Sequence, residues 1–384
     1  MASGSMQPVV AANKSILTPV MTLEGHERIN FNLPNGERDI YHQVKLISYF
    51  PDGKQMISGG LDKTIRRWDL WEGKEIVEVR DVCEQSIDML EVSRDDRWVV
   101  TVGGDNDTEG RKVKVCDVET GVVRIFQSDS KSRSISFIHI SPDSTLLAGG
   151  STDHKWNGGS TTQIWSLDTG KLVAGPFKMD YLQGRVRFSR DSKKLAVLSN
   201  IGKRLEVWDV QTQKLVVSVG NSSYGIIMAY PPVFWTTQDK TIVAAFSFKK
   251  FEHHNLEYWD EPDTIYEFDA STLEIVGAPF KGHTWYIAGL ALSFDCALLA
   301  STAHDNTIKL WAFQSRQLLA SFDDQCLCNL IFSPNSHQLA YTIFDDTKIY
   351  IYDIPLDILA RIRPTAQEKP SVCIASHISI RLRA

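Results

Sequence analysis

The sequence is poor in the features that mark several common protein classes. Its six cysteines (Cys83, Cys116, Cys296, Cys326, Cys328 and Cys373) are scattered over 384 residues, without the density of a disulfide-stapled secreted domain or the CxxC pairs of a zinc site. Cys326 and Cys328 stand two apart, so on a strand their thiols point to opposite faces. No apolar run reaches the roughly 18 residues that a membrane-spanning helix needs, and the amino terminus lacks a basic segment followed by an apolar one. The expectation is a cytoplasmic protein with reduced thiols and no membrane contact. Basic residues are outnumbered, 41 against 47 acidic ones, for a net charge of −6. They form no run resembling a phosphate-binding stripe, which argues against nucleic acid. No Gly-rich loop ends in Gly-Lys-Ser/Thr, so an NTPase of that type is excluded.

What is present is a repeat. One turn recurs seven times: Phe50-Pro51-Asp52-Gly53, Ser93-Arg94-Asp95-Asp96, Ser141-Pro142-Asp143-Ser144, Ser189-Arg190-Asp191-Ser192, Thr237-Gln238-Asp239-Lys240, Ser293-Phe294-Asp295-Cys296 and Ser333-Pro334-Asn335-Ser336. Each copy is a tight-turn composition with Asp or Asn at one offset. A short apolar run follows, then an alternating segment with a characteristic end. Those ends are Trp68-Asp69, Cys116-Asp117, Trp165-Ser166, Trp208-Asp209, Phe268-Asp269, Trp311-Ala312 and Tyr352-Asp353, spaced 41 to 60 residues apart. Four short strands per unit at this period predict an all-β, seven-bladed propeller.

Gly25-His26, Gly282-His283 and the downstream Trp-Asp pairs resemble the WD40 repeat, over roughly residues 19 to 354. The segments Lys171 to Phe177 and Asn306 to Trp311 are further similar to fungal WD-repeat proteins, including the WD-repeat regions of fungal NOD-like receptors. Residues 1–15 read as a leader and flexible terminus, with Met1 to Ser5 appended and Met6 the natural start. Residues 16–355 make the propeller, and 356–384 a tail or end cap that is helical or strand-like. The segment Leu17 to Leu23 precedes Gly25-His26 as Leu273 to Phe280 precedes Gly282-His283. It is expected to close the last blade, whose edge would otherwise stay unpaired.

His26, Ser58, Asp62 and Trp68 fall at matching repeat positions, as do His283, Ser301, Asp305 and Trp311. A Ser, a His and an Asp suggest a hydrolase. In WD repeats, however, the resemblance implies a buried hydrogen-bonded tetrad joining loop to strand, with the Ser facing inward. Blade seven keeps Thr342 and Asp346 without a His, and blades two to five lack the full set, so packing and strand pairing are expected to carry them.

Antiparallel order sends the a–b and c–d turns of each blade to one face and the b–c and d–a connections to the other. The insertions at Phe31–His42, Asp105–Arg111, Asp153–Thr161 and Lys249–Asp263 all reach the second face, the expected recognition surface. Its candidate anchors are His154, Trp156, His253, His254, Tyr258, Trp259 and Trp285. Glu252-His253-His254 with Asp260 does not match HExxH spacing, so no metal and no cofactor are expected. Asn221-Ser222-Ser223 is a glycosylation sequon, relevant only outside the cytosol. The function expected is a non-catalytic, monomeric scaffold for protein partners. The alternatives are a carbohydrate- or small-molecule-binding propeller and an enzyme with a site at the central mouth.

Overall fold

A computed structural model describes residues 18–32, 38–41, 44–76, 81–82, 86–104, 112–126, 133–153, 160–179, 183–199, 202–220, 232–249, 262–323, 327–344 and 346–362. Among the described residues, seven antiparallel blade sheets follow one another along the chain, each with its first strand, a, innermost, and a separate two-stranded sheet pairs Ile29–Asn32 with Arg38–Tyr41 ahead of blade one. The seven inner strands are Val44–Tyr49, Ile87–Val92, Arg133–Ile140, Gln183–Phe188, Val233–Trp235, Ile287–Leu292 and Leu327–Phe332. Neighbouring inner strands touch around the ring, including the seventh against the first, except that the inner strand of blade six meets Thr241–Ala245, the second strand of blade five. The protein is a seven-bladed β-propeller.

Each blade is covered on both sides by its neighbours, which is why strand b reads as an unbroken apolar run instead of alternating. Leu298–Ala303 of blade six is buried at every position. The hydrophobic core is accordingly divided among the gaps between blades. One cluster joins blades one, two and three through Ile57, Val100 and Ile135, and another joins blades four and five through Leu198, Val207 and Ile242. A third places Leu23, Val44, Met56, Ala340 and Ile351 in the gap between blades seven and one.

That last gap is where the ring closes. Met21–Glu24 pairs antiparallel with Lys348–Asp353, with Leu23 opposite Ile349, and supplies the fourth strand of blade seven. The helix Leu356–Ile362 then caps blades six and seven, burying Ile358 in their shared cluster and donating from Arg361 Nη1 to the Leu319 carbonyl at 3.5 Å.

The recurring turn has a clear physical basis. In five copies the Ser Oγ donates to the Asp or Asn two residues on, at 2.5 to 2.7 Å. The same Oγ accepts the N–H five residues on, at 2.8 to 2.9 Å. The residue after the acid takes a left-handed backbone, as at Asp96, Ser144, Ser192, Cys296 and Ser336. The carboxylate stabilises that backbone by a local side-chain turn. Blade five requires a correction by one residue: its turn begins at Thr236, whose N–H bonds to Thr241 O as Ser93 N–H bonds to Trp98 O. Asp239 therefore sits at the left-handed position instead of the acid position, and its carboxylate accepts the N–H groups of Arg190 and Asp191 in blade four, at 2.7 and 3.0 Å. Blade five departs again at its outer edge. Among the described residues it has three regular strands, and residues 275–280 take the fourth place through two isolated bridges. Gly277 at φ +68 and Pro279, which has no N–H, interrupt the ladder there.

Candidate functional site

The structure assembles both sets of His, Ser, Asp and Trp. In blade one Trp68 Nε1 donates to Ser58 Oγ at 2.8 Å, Ser58 Oγ lies 2.6 Å from His26 Nε2, and His26 Nδ1 lies 2.9 Å from Asp62 Oδ2. Blade six repeats this with Trp311, Ser301, His283 and Asp305 at 2.9, 2.7 and 2.9 Å. An ionised carboxylate only accepts, so each His donates from Nδ1 to its Asp and accepts the hydrogen bond of the Ser hydroxyl at Nε2. A fifth member was not read from the sequence: Thr64 donates to Asp62 at 2.8 Å and Thr307 to Asp305 at 2.6 Å. The shared Asp-x-Thr spacing, Asp62-Lys63-Thr64 and Asp305-Asn306-Thr307, is the signal for it. Burial pushes the Asp62 carboxyl up. The hydrogen bond from His26, with the Glu27 N–H and the Thr64 hydroxyl, outweighs that effect and holds it at about 2. Asp305 is held below the ordinary carboxylate range by the same balance, with His283, Thr307 and the Thr284 N–H opposing burial.

The order Ser–His–Asp is that of a hydrolytic triad. Here Ser58 and Ser301 are each 0% exposed. Each Ser oxygen already accepts a tryptophan indole N–H.

The remaining blades use different polar links, so packing and pairing are not their only support. In blade four Trp208 Nε1 donates to Glu206, which also accepts Arg204 Nε at 2.7 Å. In blade five the two oxygens of Glu267 accept the Thr241 hydroxyl and Arg316, which reaches over from blade six across the rings of Phe280 and Phe313. Arg97 of blade two bridges Asp117 and, in blade three, Asp168, at 3.1 and 2.9 Å. These links share no common spacing, which is why the sequence did not reveal them. Blade seven does not assemble a tetrad: among the described residues the buried Thr342 hydroxyl has no hydrogen-bond partner, and Asp346 instead accepts the Tyr350 hydroxyl at 2.6 Å.

On the face reached by the b–c and d–a connections, Trp285 is 42% exposed beside Tyr286, which in turn lies 4.0 Å from the His304 ring. Phe248 and Phe344, on the b–c connections of blades five and seven, add exposed rings that the sequence reading missed. His154, Trp156, His253, His254, Tyr258 and Trp259 lie outside the described residues. The opposite face carries Trp71, 93% exposed on the c–d turn of blade one. It follows the Trp68-Asp69 pair directly, and its N–H is fixed to Asp69 at 2.8 Å, so the turn geometry leaves the indole in solvent. Among the described residues, no group of three or more His, Cys, Asp or Glu could hold a metal ion, and no helix is long and apolar enough to cross a membrane.

The family of the WD domain, G-beta repeat, matches residues 39–69 and 275–312, which cover parts of the two blades that carry complete tetrads. These two segments are WD40 repeats, set in a seven-bladed propeller. It is 37% identical over 76 residues to the small ribosomal subunit protein RACK1 of Candida albicans, covering 20% of this chain and 24% of that one. It is 30% identical over 128 residues to autophagy-related protein 16 of Arabidopsis thaliana, covering 32% and 22%. It is 28% identical over 156 residues to nuclear distribution protein nudF 2 of Aspergillus clavatus, covering 40% and 30%. The matched parts span about a quarter of the length of these relatives. WD40 propellers generally mediate protein–protein interactions.

Proposed function

We propose that this propeller is a non-catalytic, cytoplasmic scaffold that holds protein partners on its b–c and d–a face. The observation that carries this reading is the exposed aromatic set on that face. Trp285, Phe248 and Phe344 stand on the ring at its b–c and d–a connections. Large aromatic side chains on a stiff support are the usual anchors of binding energy. The buried Ser58 and Ser301 support the non-catalytic half of the reading, and the two tetrads are structural ties between loop and strand.

Affinity capture from a native extract, with intact protein, Trp285→Ala and Trp71→Ala compared after each is verified as folded, tests the proposal. A partner retained by Trp71→Ala and lost by Trp285→Ala is the expected result. The reverse pattern moves recognition to the c–d face, and hydrolytic turnover abolished by Ser58→Ala in folded protein overturns the non-catalytic reading.

A further inference from the structure

The inner strands repeat in register, so equivalent positions stack into layers along the axis. Two residues before the turn Ser, blades two, three and four carry Glu91, His139 and Arg187, and blade five carries Phe234. His139 Nε2 lies 3.6 Å from Glu91 Oε1, and the Arg187 guanidinium lies over the Phe234 ring at 4.4 Å. One residue after the turn Ser, blades two, four and six carry Arg94, Arg190 and Phe294, which meet although their blades are not neighbours. Both guanidiniums stand over the Phe294 ring, at 5.6 and 4.9 Å, and Arg190 Nη2 donates to the Phe294 carbonyl at 2.7 Å. Four residues before the turn Ser, blade four adds Arg185, over Phe137 at 5.3 Å.

The guanidiniums of Arg94, Arg185, Arg187 and Arg190 therefore share the axial region with the carboxylates of Glu91 and Asp239. Both acids are already engaged: Glu91 Oε2 accepts the Ile140 N–H at 3.0 Å, and Asp239 accepts two backbone N–H groups of blade four. His139 Nδ1 accepts the Phe188 N–H at 3.1 Å, and burial with Arg187 and Arg94 nearby keeps the ring neutral. Burial also pushes Glu91 up to about 7, against the pull of Arg187, Arg185 and Arg94, so at neutral pH it supplies only part of a counter-charge. Guanidinium groups do not discharge in proteins. Among the described residues, neither Arg94 nor Arg187 has a carboxylate within ion-pair distance; each is held by an aromatic face alone.

We propose that the axial region binds a phosphate-type oxyanion between Arg94 and Arg187, with Arg190 beside them on the side of the a–b turns. The positive charge of Arg94 and Arg187, which no ion pair offsets among the described residues, suits an oxyanion, and planar guanidiniums offer paired donors to its oxygens. The Phe294–Arg190 contact across the axis favours a free ion over a phosphate carried on a larger molecule.

Calorimetric titration of the intact protein with inorganic phosphate, and separately with a short phosphoserine peptide, at constant ionic strength set by chloride, tests this. The expected result is one phosphate per chain, weakened at least tenfold in both Arg187→Gln and Arg94→Gln. Glu91→Gln removes the competing negative charge and is expected to tighten binding several-fold, which a general loss of structure would not do. Binding of the peptide as tightly as of phosphate shifts the source to a modified partner within the same chemistry. Absence of saturable binding up to millimolar phosphate in wild-type protein, or undiminished binding in the folded arginine variants, overturns the proposal.

Discussion

Ser58 and Ser301 each join a tryptophan, a histidine and, through it, an aspartate in a space closed to water. Replacing either by Ala leaves an indole N–H without its acceptor and a histidine nitrogen without its donor. Each substitution should cost about 1–3 kcal/mol in urea denaturation. The Asp62 carboxyl, held at about 2 against an ordinary 3.8, sets a pH dependence. Because its folded value is depressed, its contribution is present above about pH 4 and lost as pH falls through about 2. It amounts to about 2 kcal/mol. Asp62→Asn should flatten the acid limb of the stability profile. Glu91 has the opposite sign: its folded value is raised, so the folded state is favoured below the ordinary carboxylate range and loses that advantage as pH rises toward about 7. Glu91→Gln, which keeps an acceptor for Ile140, should therefore raise the melting temperature more at pH 8 than at pH 5.

At the scale of elements, the Asp that follows the aromatic residue has a separate task from the tetrad. Asp69, Asp117, Asp209 and Asp269 accept N–H groups two or three residues on and so fix the c–d turns. This local chemistry was legible in the sequence. The displaced turn of blade five was not, because Thr236 replaces Ser and the only Asp in the segment faces blade four. The closing strand was legible by analogy with the segment before Gly282-His283, and its pairing fixes the outer edge of blade seven. Deleting residues 16–24 removes Leu23 from the gap between blades seven and one and leaves Lys348–Asp353 as an open edge. A lower melting temperature and loss of monodispersity in size-exclusion chromatography are the expected outcome. At Gly220, φ is +103 and an added Cβ would lie 1.9 Å from the Lys203 carbonyl oxygen. Gly220→Ala should destabilise by about 1–3 kcal/mol in the same denaturation assay.

Across the whole molecule, stability resides in the gaps between blades, and a closed ring results. Recurrent turns, aromatic–Asp endings and period determined the blade count and the strand order, because each depends on contacts within one repeat or on a spacing the repeat keeps constant, while the two tetrads were legible through the resemblance to the WD repeat. Tertiary structure alone decided which side chains meet across repeats. Arg190 reaches Phe294 from two blades away, Arg316 ties blade six to Glu267 of blade five, and Trp71 remains in solvent while Trp68, three residues earlier, is sealed. Those outcomes depend on ring closure, which brings residues a hundred positions apart to one axis and leaves no trace in local pattern or spacing.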